Sequence, residues 1–168
     1  MLALLLMVTY SPSLLDKLLG ASADSRDGTT LRYSVEQVKD SVARDIETLL
    51  NAHQHFCPEE LRGWPHAARS LLTLGLVDIS SMSLASDKNR KRISEAIRDG
   101  LMAHDRRLVN VQVGLRQQGL TARPSFTISA KLQLHSHAEH VTFDAVLQPG
   151  SKRYDVSKAD ARPSQQLV

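Results

Sequence analysis

The stretch Val109-Asn110-Val111-Gln112-Val113-Gly114-Leu115 decides the fold. Its apolar residues fall at every second position, whereas the apolar residues of the segments before it recur near a period of 3.6. Successive side chains on a strand point to opposite faces, so this text gives one apolar face and one polar face. The same pattern returns twice. Phe126, Ile128, Ala130, Leu132 and Leu134 alternate with Thr127, Ser129, Lys131 and Gln133, and Val141, Phe143, Ala145 and Leu147 form a third run. Pro149-Gly150-Ser151-Lys152 reads as a turn into a short fourth strand around Tyr154 and Val156. One wet face and one buried face are the signature of an antiparallel sheet covered by helices on one side.

Upstream, Ser34 and Gln37 are spaced as a capping box, and Val35, Val38, Val42, Ile46, Leu49 and Leu50 follow at helical spacing down to Asn51. A second helix is predicted from Pro65 through Leu74, with Pro65 in its first turn and Gly75 as its stop. Ser86 is the predicted cap of a third helix, in which Ile93, Ile97 and Leu101 repeat every fourth residue and Gly100 weakens the final turn. Helices followed by a meander define an α+β domain over residues 34–156, its N-terminal helices packed on one face of a mostly antiparallel β-meander. Residues 1–33 precede it as a leucine-rich helix and a flexible linker, and residues 157–168 follow as a polar tail. In that first helix, Ser11 to Leu19, Ser13 is the cap and Leu14, Leu15, Leu18 and Leu19 share one face. Isolated helices shorter than about 12 residues are marginal in water, so this one must dock on something.

With 168 residues the chain fits one domain with tails, and its 4% aromatic content makes the core aliphatic. The 21 basic and 18 acidic residues leave a net charge of +3, too weak a bias to indicate nucleic acid. The single Cys57 cannot form an internal disulfide and suits a reducing compartment. Met1 to Val8 is apolar but lacks a basic start and a small-residue cleavage site, and Met7 is an alternative initiator. Eight residues fall short of the about 20 that span a bilayer, so no membrane insertion and a cytosolic location are expected.

His53, His55 and Cys57 form H-x-H-x-C, with His66 nearby, but no second pair follows at a zinc-module spacing. They are read as a polar inter-helix loop, and His135, His137 and His140 as solvated hairpin-loop residues. Lys88, Arg90, Lys91 and Arg92 lack interleaved aromatics and read as the wet face of the third helix, or as a patch for an acidic protein partner. Glu47, Glu59, Glu60, Asp78, Glu95 and Asp105 supply carboxylates, none in a recognisable catalytic context. G-x-S-x-G, P-loop and G-x-G-x-x-G motifs are absent from the sequence, so no catalytic, cofactor or metal residues are assigned. Asp105-Arg106-Arg107-Leu108 stands apart, at the junction of the third helix and the first strand. Arg107 can pair with a neighbour's carboxylate there, or serve as an intramolecular cap at the helix C-terminus.

In order, the leucine-rich start, Ser41-Val42-Ala43-Arg44-Asp45-Ile46-Glu47-Thr48-Leu49-Leu50-Asn51, Ser70-Leu71-Leu72-Thr73-Leu74-Gly75-Leu76-Val77-Asp78-Ile79-Ser80 and the strand-rich end resemble the TssE family of type VI secretion baseplate subunits. That family is related to the wedge protein of contractile phage tails. The resemblance implies a non-enzymatic structural subunit that joins TssF, TssG and TssK and helps start polymerisation of contractile sheath subunits. It places the protein in a cytoplasmic baseplate docked at the inner membrane complex. An older lysozyme-like label supplies the alternative, a peptidoglycan hydrolase. The family hallmark Glu-Pro-Arg-Leu reads Asp105-Arg106-Arg107-Leu108 here, keeping only the arginine and leucine. These four residues, with Leu14, Leu15, Leu18 and Leu19, are the expected protein-interaction residues. The resemblance further implies that a sheet edge accepts a strand from a sheath subunit.

Overall fold

The computed structural model describes residues 10, 33–56, 59–76, 86–116, 124–134, 137–148 and 150–159. Two helices, α1 (Val35–Asn51) and α2 (Asp87–His104), precede four strands: β1 (Leu108–Arg116), β2 (Ser125–Gln133), β3 (Ala138–Gln148) and β4 (Arg153–Lys158). The strands pair in the order β1-β2-β3-β4, antiparallel throughout. The α+β meander expected from the change of period is the fold observed.

Helix α1 starts where its capping box places it. Ser34 Oγ accepts from the Gln37 N–H at 3.3 Å, and Gln37 Oε1 accepts from the Ser34 N–H at 2.8 Å. It packs mainly against β4 and α2 against β1, and the two helices touch each other little. Between them and the sheet lies the core. Val42, Ile46 and Leu49 come from α1, and Ile93, Ile97 and Leu101 from α2. Phe126, Ile128, Leu132 and Phe143 line the sheet's inner face, each with 1% exposure or less. Burying a side chain of this size contributes about 1.5–3 kcal/mol, so the period-two text is where most of the sheet's stability resides.

Four expectations change. The predicted helix from Pro65 to Leu74 is instead two short 3-10 turns, Ala67–Arg69 and Leu71–Thr73. Ser70 separates them with an extended backbone, its hydroxyl donating to the Ala67 carbonyl and accepting from the Leu72 N–H. A serine that bonds its own neighbourhood competes with continuous helix, and here it wins. Strand β1 does not alternate through Val109, because two residues, Asn110 and Val111, stand opposite Ala130. Asn110 adopts φ 54°, and this β-bulge puts Leu108 and Val111 on the buried face while Val109 stays half-buried with Lys131 as its partner. His140 lies within β3 opposite Lys131 and not in the hairpin loop. Finally, Ser86 is the residue before α2 but makes no capping bond through its side chain, and α2 runs through Gly100 to His104.

Gly75 follows the second 3-10 turn and its cap, Leu74, with a requirement that no other residue meets. Its φ is +113°, and a Cβ there would lie 2.3 Å from the Ala52 carbonyl oxygen. That close approach lets the Leu76 N–H donate to the Ala52 carbonyl and the Gln54 N–H to the Leu76 carbonyl, closing the α1–α2 connection. At the other end of the described chain, Tyr10 pairs with Tyr33 through two backbone hydrogen bonds of 2.8 and 2.7 Å, and both rings are in the core. Strand β4 extends through Lys158, and the Ala159 N–H donates to the Thr142 carbonyl.

Candidate interaction site at the helix-strand junction

Asp105 caps α2, its N–H donating to the Leu101 carbonyl. Its side chain then folds onto the turn: Oδ1 accepts from both the backbone N–H and the Nε of Arg107, each at 2.9 Å. A carboxylate accepting the amide two residues on is an Asx-turn, a constraint as local as the proline that the family hallmark would supply. The guanidinium continues outward, with one terminal nitrogen 2.7 Å from Asp105 Oδ2 and 2.5 Å from Asp45 Oδ2 on α1. The Arg107 carbonyl accepts from the Gln133 N–H at 2.7 Å, and Leu108 drives into the core at 3% exposure.

Arg107 therefore joins three elements: α1, the end of α2 and the sheet. Burial opposes its charge, but the hydrogen bonds and attraction from Asp105, and then from Asp45, outweigh that cost and push its pKa upward. The intramolecular alternative describes this side chain, and no unpaired charge is offered by it; Arg106 beside it is the exposed member of the set. Leu14, Leu15, Leu18 and Leu19 lie outside the described residues, as do Cys57, Asp78 and His135.

Sequence reading missed the partners on α1. Within Ser41-Val42-Ala43-Arg44-Asp45-Ile46-Glu47-Thr48-Leu49-Leu50-Asn51, Asp45 holds Arg107, whereas Glu47 and Asn51 bond the backbone of β4. Glu47 and Asn51, four residues apart, share the flank of α1 that meets β4, whereas Asp45, two residues before Glu47, lies on the other flank and reaches the junction, a division visible only once the helix has been docked. Of the other candidate carboxylates, Glu47 accepts from the Val156 N–H at 3.2 Å and Asp105 is committed to Arg107. Lys88, Lys91 and Arg92 are exposed on α2, with Arg90 paired to Asp87.

A shallow depression of about 380 Å³ lies on the open face of the sheet at the bulge. Asn110, Gln112, Ser129, Lys131 and His140 line it, with no carboxylate among them. Among the described residues no three His, Cys, Asp or Glu side chains gather as a metal site, and no helix is long and apolar enough to cross a membrane. Trp64 and Leu71 are exposed in the α1–α2 connection, at 71% and 80%.

A helix-backed meander whose Asp45, Glu47, Asn51 and Arg107 side chains join its elements, with Trp64 and Leu71 left exposed, defines a small α+β module. Over residues 36–137 the chain matches the family described as baseplate wedge protein gp25, and it belongs to that family, which is also the family of TssE. Search of curated proteins gave no match. The family is one of structural baseplate proteins of the phage-tail type. Membership implies contact with other baseplate components.

Proposed function

We propose that this chain is a non-enzymatic subunit of a type VI secretion baseplate, binding the TssF, TssG and TssK wedge and helping to start the contractile sheath. The observation that carries the reading is the family match through both helices and into the hairpin, joined to a junction in which the retained arginine and leucine still fix the helix to the sheet. In this role Asp105, Arg107 and Leu108 set the angle between α2 and β1, and Arg106 and the leucines at 14, 15, 18 and 19 meet partners. The baseplate is cytoplasmic and docks on the inner membrane complex.

A structural subunit needs no general acid, and the carboxylates named above support that reading by their engagement with backbone and arginine. Co-purification from the native host tests it: the tagged chain is expected to bring down the wedge subunits and to release no muropeptides from peptidoglycan. Hydrolysis abolished by one Asp or Glu substitution overturns it.

A further inference from the structure

The bulge at Asn110 and Val111 disrupts the β1–β2 ladder where two residues face Ala130, and the depression of about 380 Å³ lies over it. Its side-chain rim is Asn110 and Gln112 of β1, Ser129 and Lys131 of β2, and His140 of β3. Lys131 and His140 are direct cross-strand partners, so their Cβ atoms stand about 4.5–5.5 Å apart and one bound group can reach both. Each of the five side chains can donate a hydrogen bond, and none is acidic. Among the described residues none of the five has a side-chain hydrogen bond or an ion pair.

The sheet does not supply the missing negative charge. Glu139, beside His140 in sequence, points to the helix side, since neighbours on a strand alternate, and pairs with Lys39 at 2.7 Å. On the open face the next acid of β3 is Asp144, about 13 Å further along the strand. Its carboxylate accepts from Thr127 Oγ1 at 2.9 Å and stands 3.7 Å from Arg116. The lysines at α1 and β4 differ from Lys131 in being paired already, Lys39 with Glu36 and Glu139, and Lys158 with Glu36 and Asp40.

We infer that this depression receives an Asp or Glu side chain from a baseplate component that rests on the open face of the sheet. Lys131 supplies the positive charge and the His140 ring an N–H, while Asn110, Gln112 and Ser129 offer further donors to the two carboxylate oxygens. The rim holds neither an arginine fork nor a helix N-terminus, the usual marks of a phosphate site. Nor does it hold an aromatic ring on which a base could stack. The inference rests on the baseplate reading proposed above, and it adds a contact that neither Arg106 nor the leucines provide.

Nuclear magnetic resonance titration of the full chain tests the chemistry, using a short glutamate peptide with blocked ends, its glutamine counterpart and inorganic phosphate. The glutamate peptide is expected to shift the resonances of the five rim residues and to bind more weakly as salt rises, and the glutamine peptide to shift none. Lys131 is exposed, so its variants are expected to keep the wild-type circular dichroism. Lys131→Gln is expected to weaken the glutamate peptide about threefold. Lys131→Glu is expected to abolish the shifts, whereas Lys88→Glu, the same change of charge on α2, is expected to leave them. Shifts as large at Lys88, Lys91 and Arg92, or an equal loss with Lys88→Glu, mean general attraction to basic residues and overturn the site, as does the absence of shifts at the rim. Phosphate shifting the rim as strongly as the glutamate peptide overturns the choice of carboxylate. In the native host, Lys131→Glu is expected to lower recovery of one wedge subunit about threefold or more, while Lys88→Glu recovers all of them. Full recovery with Lys131→Glu overturns the partner assignment. A wild-type chain that recovers no wedge subunit overturns the functional reading and the partner with it, and the peptide titration still reads the site by itself.

Discussion

Replacing Arg107 with alanine removes a side chain that bonds Asp105 and Asp45 together, and the size of the loss follows from their burial. The Arg107, Asp45 and Asp105 side chains are 31%, 20% and 11% exposed, between the surface and buried regimes. Surface pairs contribute about 0–1 kcal/mol, whereas truncating one member of a buried pair costs about 3–5 kcal/mol. Two partly buried carboxylates that lose their shared guanidinium place Arg107→Ala at about 2 kcal/mol, roughly 4–8 °C in Tm for a chain of this size. Thermal unfolding followed by circular dichroism reads it directly. Arg107→Lys is expected to recover only part, because a point charge cannot bond the two acids and the Asx-turn in one plane. A double-mutant cycle with Asp45→Ala is expected to show a coupling of about 0.5–3 kcal/mol. An Arg107→Ala variant within about 0.5 kcal/mol of the wild type, as for an exposed arginine, refutes the account of the junction.

Other substitutions probe the remaining joints. Gly75→Ala forces a Cβ onto the Ala52 carbonyl at positive φ and is expected to cost about 2–4 kcal/mol by urea unfolding; an unchanged midpoint contradicts the close approach. Asn51→Ala strips two bonds from Tyr154 and is expected to cost about 1–3 kcal/mol, while Asn51→Asp keeps the acceptor for the Tyr154 N–H and loses the donor. Tyr10→Ala removes a core ring and is expected to lower stability by about 3 kcal/mol, so deleting residues 1–20 destabilises the domain as well as removing its leucines. Serine at Leu14, Leu15, Leu18 and Leu19 is expected to weaken wedge co-purification; full recovery of TssF and TssG with that variant excludes the leucines as contacts.

The fold was legible because periodicity is a local property. Phe126 to Leu132 and Val141 to Ala145 show their buried face at every second letter, and Ser34 with Gln37 announces the start of α1. The bulge was not, since Asn110 and Val111 read as ordinary alternation and only the register against β2 reveals the extra residue. The segment from Pro65 to Leu74 failed for another reason. Its apolar content suggests helix, but the Ser70 hydroxyl bonds backbone on both sides and divides it. Of the junction, the position was readable, whereas Leu108, expected among the interaction residues, is buried in the core. The partner of Arg107 was not readable, because Asp45 lies 62 residues away and is brought there by tertiary packing. Asn51 and Glu47 show the same limit: nothing in a helix sequence tells that its side chains will close a sheet edge.

The proposed role in starting a sheath is tested most directly by fluorescence imaging of labelled sheath in native cells whose copy of this gene is deleted. Sheath structures are expected to disappear and to return with the wild-type chain. Sheaths assembling at normal number and length in the deletion strain contradict the account.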